Sequence, residues 1–204
     1  MKAVVILADI DKINKEDVLD SFVVGADRGA LLAVLNGISL DISIGDFDSV
    51  NQEEFELIKK NSKKVIKLSP IKDKSDTSEA VDLCKGYSDI LILGGIKGKR
   101  IEHFYSNLLT LYNNPNLRMK DDNSLIETKA KSFIPNTSYK YISLFSIDDE
   151  SIITLKGMKY NLKVYTLKRN DPLGLSNEII KDPQIEILKG RLLVIYSVSD
   201  HEYI

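Results

Sequence analysis

One cysteine, no tryptophan, no excess charge of either sign and no long apolar run set the first limits on this chain of 204 residues. With Cys84 alone, an internal disulfide framework and any cysteine-based zinc or iron–sulfur site within one chain are excluded, and a reducing compartment is expected. Without tryptophan, any aromatic stacking on a ligand falls to Tyr or Phe. Lys and Arg number 28 against 30 Asp and Glu, a net charge of −2. Signs scattered in this way argue against a nucleic-acid or anionic-membrane partner, because both need a positive footprint. The stretch from Met1 to Ala8 carries one Lys and a short apolar run that meets Asp9 at once, too short for a signal peptide or a membrane span. A cytoplasmic protein is expected. What remains is a chain of 22.9 kDa that is 43% hydrophobic. Area scaling lets such a chain bury roughly 70% of its unfolded surface without staples.

The first part alternates short β-branched runs with helical patterns. Ala3 to Leu7, Phe22 to Val24, Ile42 to Ile44, Val65 to Leu68 and Ile90 to Leu93 read as strands buried on both faces. Arg28 to Asn36, Gln52 to Lys60, Thr77 to Lys85 and Glu102 to Tyr112 have the spacing of amphipathic helices. That alternation predicts an α/β domain with a mostly parallel sheet. After Asp121-Asp122-Asn123 the texture changes to short strand candidates separated by turn residues: Leu125 to Glu127, Tyr139 to Phe145, Ile152 to Leu155, Leu162 to Leu167, Ile185 to Leu188 and Leu192 to Tyr196. A small all-β sandwich domain follows from that spacing. The expected division is 1–128 for the α/β domain and 129–204 for the sandwich.

The chemistry gathers where the first-domain strands end. Phe22 to Val24 runs into Gly25-Ala26-Asp27-Arg28-Gly29, Ile42 to Ile44 into Gly45-Asp46-Phe47-Asp48-Ser49, and Ile90 to Leu93 into Gly94 to Arg100. An acidic loop, Lys72 to Thr77, follows Val65 to Leu68. Ligands of open parallel sheets bind outside the carboxyl ends of the strands, so these loops are expected to converge on one crevice. On extended backbone, Asp46 and Asp48 would point to the same side, and two such carboxylates suit Mg²⁺ bridging a phosphate. The competing reading is a solvated turn with Ser49 capping the next helix. Asp73 and Asp76 carry the same ambiguity, since Ser75 or Asp76 also suits a helix cap. The segment Gly94 to Arg100 is not a Walker A loop: Leu93 stands where Gly is needed, and Arg100 where Ser or Thr is needed. Its glycines and the cations Lys97, Lys99 and Arg100 could still cradle a polyphosphate. His103 is a general base or a structural residue, and Cys84 reads as helix packing.

Taken in order, Gly25-Ala26-Asp27-x-Gly29, Gly45-Asp46-Phe47-Asp48-Ser49, Asp73-x-Ser75-Asp76-Thr77 and Gly94-Gly95-x-x-Gly98-x-Arg100-x-Glu102-His103 with Asn107 resemble thiamine pyrophosphokinases. The resemblance continues through Asp122-x-x-x-Leu125, Thr154 to Tyr160 with Leu162, Leu175-Ser176-Asn177-Glu178 and Gly190-x-Leu192-Leu193. It implies transfer of the pyrophosphoryl group of ATP to thiamine with Mg²⁺, giving thiamine diphosphate and AMP. It also implies a homodimer with thiamine where the subunits meet. By that resemblance Asp46, Asp48 and Asp76 form the catalytic and metal centre, with Asp73 nearby and Asp27 in the same crevice. Gly94, Gly95, Gly98, Arg100, Glu102, His103 and Asn107 fall on the nucleotide side, and Ser176 and Asn177 in the part that receives thiamine. The chain departs from the family at Glu102 (usually Asp), Lys99 (usually Gly) and Ser75 (usually Thr). Two other classes stay open: a metal-dependent nucleotide phosphohydrolase using the same crevice, and a non-catalytic thiamine- or nucleotide-binding protein.

Overall fold

A computed structural model describes residues 1–69, 73–98 and 100–198. Lys72 and Lys99, both named above, lie outside them. The chain divides into two compact units, one of Met1–Thr110 with Asn116–Asp122, the other of Leu111–Pro115 with the chain from Asn123 onward.

The first unit is built on β1 (Lys2–Ile6), β2 (Ser21–Ala26), β3 (Leu40–Gly45), β4 (Ser62–Lys67), β5 (Asp89–Leu93) and β6 (Leu117–Lys120). Their order is β6-β5-β1-β2-β3-β4, and every neighbouring pair is parallel. The apolar runs behave as parallel strands should. Ala3, Val4, Val5 and Ile6 of β1 have no solvent exposure, and Ile90 to Leu93 of β5 are buried. Helices α1 (Lys15–Val18), α2 (Arg28–Leu35), α3 (Gln52–Lys60), α4 (Asp76–Leu83) and α5 (Ile101–Tyr112) connect them. Helix α2 turns Ala30, Leu31 and Ala33 into a core shared with Val4, Ile6, Val23, Leu40, Phe47 and Ile58. Helix α3 starts on a capping box: the Asn51 side chain accepts from the Glu54 N–H at 2.9 Å, and Glu54 accepts from the Asn51 N–H at 2.8 Å. Asn51, not Ser49, is therefore the cap. Ser75 caps α4, accepting from the Ser78 N–H at 3.2 Å. Strand β6 and the one-turn helix α1 go beyond the sequence expectation, because four residues are too few to carry a period.

The chain lays β1 to β4 outward in succession, then returns to place β5 on the other side of β1. The order reverses there, and the carboxyl ends of β1 and β5 flank the crevice that such a reversal creates.

The second unit is β-rich and antiparallel, with β7 (Ser124–Lys129), β8 (Tyr141–Ser146), β9 (Glu150–Met158), β10 (Leu162–Lys168), β11 (Asn177–Lys189) and β12 (Leu192–Ser197). Strand β12 pairs with β7 and β8, while β9 pairs with β10 and β11. Strand β11 serves both sheets: Asn177 and Glu178 pair with β8, and the stretch from Gln184 pairs with β9. Its register shifts where Asp182 takes a φ of 49°, beside Pro183, which a strand tolerates at a bulge. Leu125, Ile142, Leu144, Val194 and Tyr196 from one sheet and Ile153, Leu155, Leu167 and Ile185 from the other share one core. This is the layered packing of a sandwich. No helix among the described residues is long and apolar enough to cross a membrane.

Candidate active site

Four strand ends of the first unit and the start of α4 open onto one cavity of about 510 Å³. Leu7 to Asp9 follow β1, Ala26 to Arg28 follow β2, and Asp48 and Ser49 follow β3. Ser75 to Thr77 lead into α4, and Gly95, Lys97, Gly98 and Arg100 follow β5, with His103 and Asn107 on α5. Asp9, Asp27, Asp48 and Asp76 thus line the same space as Arg28, Lys97 and Arg100. Such a wall can take a polyphosphate through its cations and a metal ion through its acids.

The Asp46-Phe47-Asp48 loop departs from the extended geometry expected of it. Phe47 turns to a φ of 59° and buries its ring in the core, 5.1 Å from the Phe55 ring. Asp46 then curls back, and its carboxylate accepts from the Asp48 N–H at 3.2 Å. The two side chains are therefore not equivalent: Asp48 is exposed and lines the cavity, while Asp46 is half-buried and shapes the turn. Asp27, at the start of α2, has a φ of 45° and makes no capping bond. Its Oδ1 accepts from the Phe47 N–H at 3.4 Å, which ties the β2 loop to the β3 loop. Arg28 makes a second tie, donating from Nη1 to the Ser49 carbonyl at 3.0 Å.

On the opposite wall Asn107 is buried, and its amide donates to the Gly95 carbonyl at 3.0 Å. Gly94 sits deeper and donates its N–H to the Lys120 carbonyl at 2.9 Å. Lys97 reaches Asp11 at 3.2 Å and Asp122 at 3.3 Å. Burial pushes its ammonium pKa down, but those two hydrogen bonds outweigh it and the net shift is upward. Burial likewise pushes Asp122 up, and the Asp11 N–H and Lys97 pull it net below the usual carboxylate range. Arg100 pairs with Glu102 at 2.7 Å, and that hydrogen bond lowers the Glu102 pKa. Asp73 is exposed in the loop before α4 and, like Asp46, Gly94 and Glu102, is not part of the cavity wall.

Ser176 and Asn177 belong to the second unit. Asn177 is buried with both ends of its amide engaged: Oδ1 accepts from the Tyr160 N–H at 3.0 Å, and Nδ2 donates to the Tyr160 carbonyl at 2.7 Å. Ser176 takes a φ of 51°, and its N–H donates to Ser143 Oγ at 2.9 Å.

Asp9, Arg28 and Thr77 also line the cavity although the motif reading gave them no role. For Asp9 the available signal was a lone acid ending the apolar run of β1. Among the described residues no three carboxylate, imidazole or thiolate groups gather closely enough to hold a cation by themselves. Mg²⁺ is usually held through one or two carboxylates plus substrate phosphates. Asp48 and Asp76 on one cavity fit an ion that shares its coordination with a polyphosphate.

Comparison with known proteins agrees in both units. Residues 13–120 match the model for the thiamin pyrophosphokinase catalytic domain, and residues 128–192 match that for its vitamin B1 binding domain. A thiamine pyrophosphokinase of Bacillus subtilis is 29% identical over 186 residues, spanning 86% of this chain and 87% of its own. A crystal structure of thiamine pyrophosphokinase from Bacillus subtilis superposes with a TM-score of 0.86 at 25% identity, covering 98% of this chain and all of that one. The yeast thiamin pyrophosphokinase shares the fold at 16% identity, with a TM-score of 0.79 over 100% of this chain and 89% of that one. The chain belongs to the thiamin pyrophosphokinase family.

Proposed function

We propose that the cavity of the first unit is where ATP gives up its pyrophosphoryl group to the primary hydroxyl of thiamine, with AMP as the leaving group. The observation that supports this most is the single cavity wall on which Asp27, Asp48 and Asp76 face Lys97 and Arg100. Pyrophosphoryl transfer asks for in-line positioning and neutralised equatorial oxygens more than for a strong base. Asp48 and Asp76 would hold Mg²⁺, with Asp46 fixing the turn that presents Asp48. When bound, that ion would neutralise charge developing on the transferred phosphates. Lys97, Arg100 and the Gly98 amide bind the polyphosphate, Gly95 anchors that loop through its N–H on the Ala8 carbonyl and its own carbonyl on the Asn107 amide, and Glu102 holds the Arg100 guanidinium. Gly94 and Asp73 support the loops that carry these groups, and His103 faces the nucleotide. In the second unit Ser176 contacts thiamine while Asn177 secures the loop behind it. The assembly is a homodimer with thiamine where subunits meet, and it works in the cytoplasm.

Purified protein with ATP, Mg²⁺ and thiamine should release AMP and thiamine diphosphate in equal amounts. Release of ADP, or nucleotide turnover that ignores thiamine, would overturn the reading.

A further inference from the structure

Asp122, at the end of β6, carries no role in the proposed reaction, yet its carboxylate is heavily used. It accepts the N–H groups of Asp11 at 3.1 Å and Lys12 at 3.2 Å and takes the Lys97 ammonium at 3.3 Å. Asp11 also touches that ammonium, but its side chain is 86% exposed against 24% for Asp122. Water competes for the Asp11 contact far more than for the Asp122 contact. Lys97 lies on the wall of the candidate active-site cavity, and the Asp11–Lys12 segment continues from Leu7, Ala8 and Asp9, which line it. The Asp11–Lys12 segment follows Asp9, which has a φ of 66° and whose Oδ2 lies against Gly98, within 3.0 Å of where a Cβ would stand. The Lys97 segment carries Gly95, Gly98 and Arg100, and the Gly95 N–H donates to the Ala8 carbonyl at 3.3 Å. Asp122 itself is not in the cavity wall, whereas Lys97 is.

We propose that Asp122 is a positioning residue for the nucleotide: it clamps the β1 loop to the β5 loop and holds Lys97 on the cavity wall to meet the polyphosphate. It has no contact with substrate and acts through Lys97 and through the paired backbone of Asp11 and Lys12. Asp122→Asn keeps the size of the side chain but removes the charge that serves three donors at once. The clamp rests on the ATP-dependent reading of the cavity, so its test uses readouts that survive failure of that reading.

Amide hydrogen exchange across residues 9–12 and 94–98 should speed up by about tenfold in Asp122→Asn, since a carboxylate acceptor is lost there. Calorimetric affinity for ATP with Mg²⁺ should weaken by roughly ten- to hundredfold, the scale of a misplaced binding group, while KM for thiamine stays within about twofold. In a Lys97→Met background the same substitution should add less than about threefold to the ATP loss, because the two residues act in series. Unchanged exchange would overturn the clamp. Faster exchange with unchanged ATP affinity, or losses that multiply fully in the double variant, would overturn the positioning role. Should Asp122→Asn fail to fold, Lys97→Met carries the test: it must weaken ATP binding to a similar extent, and an unchanged affinity refutes the proposal. A protein that binds ATP but forms no AMP with thiamine would refute the reaction and leave the clamp to be judged by exchange and affinity.

Discussion

Gly45 offers a way to move one carboxylate of the proposed active site without touching it. The residue closes β3 with a φ of 153°, and a Cβ built on it would stand 1.8 Å from Asp27 Oδ1 and 2.7 Å from Asp27 Cγ. No real contact is that short, so Gly45→Ala must expel the Asp27 side chain from its place beside the Phe47 N–H. The backbone of residue 45 adds its own cost, about 1 to 3 kcal/mol for a non-glycine in such a conformation. Gly37 separates the two effects. It follows α2 with a φ of 71°, and nothing lies within 4 Å of the Cβ it lacks. Gly37→Ala therefore carries strain alone, about 1 to 2 kcal/mol. In urea unfolding followed by circular dichroism, both variants should lose stability on this scale. In an assay of thiamine-dependent AMP release, Gly37→Ala should turn over like the parent, while Gly45→Ala should lose about two orders of magnitude, the scale of a displaced positioning group. Normal turnover in Gly45→Ala would refute the view that Asp27 must stand where it does. Lost turnover in Gly37→Ala would show that strain alone suffices and that displacement is not the cause.

Asp48→Asn and Asp76→Asn should each abolish AMP release while leaving the unfolding midpoint near that of the parent; near-normal activity in either removes that residue from the proposed metal pair. The hydroxyl of Ser43 is fully buried in β3 with no hydrogen-bond partner among the described residues, so Ser43→Ala should be neutral or stabilise by up to about 1 kcal/mol. A clear loss of stability in urea would contradict that. Cys84 is buried, and desolvation raises its thiol from 9.0 to about 12. A raised acid contributes stability that is whole below pH 9 and declines as the pH climbs toward 12, because the unfolded chain releases the proton first. Cys84→Ala should flatten that part of the alkaline unfolding curve, and the native thiol should resist alkylation at neutral pH; rapid labelling of folded protein would refute its burial.

What the sequence made legible, and what it hid, follows the range of the interactions involved. The runs Ala3 to Leu7 and Ile90 to Leu93 announce themselves because a parallel strand covered on both faces needs continuous apolar residues. The Gly-Asp-Phe-Asp-Ser block alone reads equally as a solvated turn, since Asp is common in turns, and it points to chemistry only in its order with the other strand-end motifs. The division of labour between Asp46 and Asp48 was hidden, since it hangs on Phe47 leaving the extended region to reach the core and pack against Phe55, eight residues further on. Strand β11 was hidden upstream of Ile185 because Asp182-Pro183 reads locally as a turn, and only the pairing of Asn177 with Ile142 and of Ile185 with Leu155 makes one strand of it. Asp9 was faint for a third reason: its local mark is no more than a lone acid ending the apolar run of β1, and its place on the cavity comes from β1 standing where the strand order reverses. Asp122 is the extreme case, more than a hundred residues from the backbone groups it accepts. Motifs therefore point to the residues proposed for chemistry, while strand order decides which ordinary residues stand beside them. Candidate positioning residues of this chain are best sought at the ends of β1, β5 and β6, where segments far apart in sequence share single side chains.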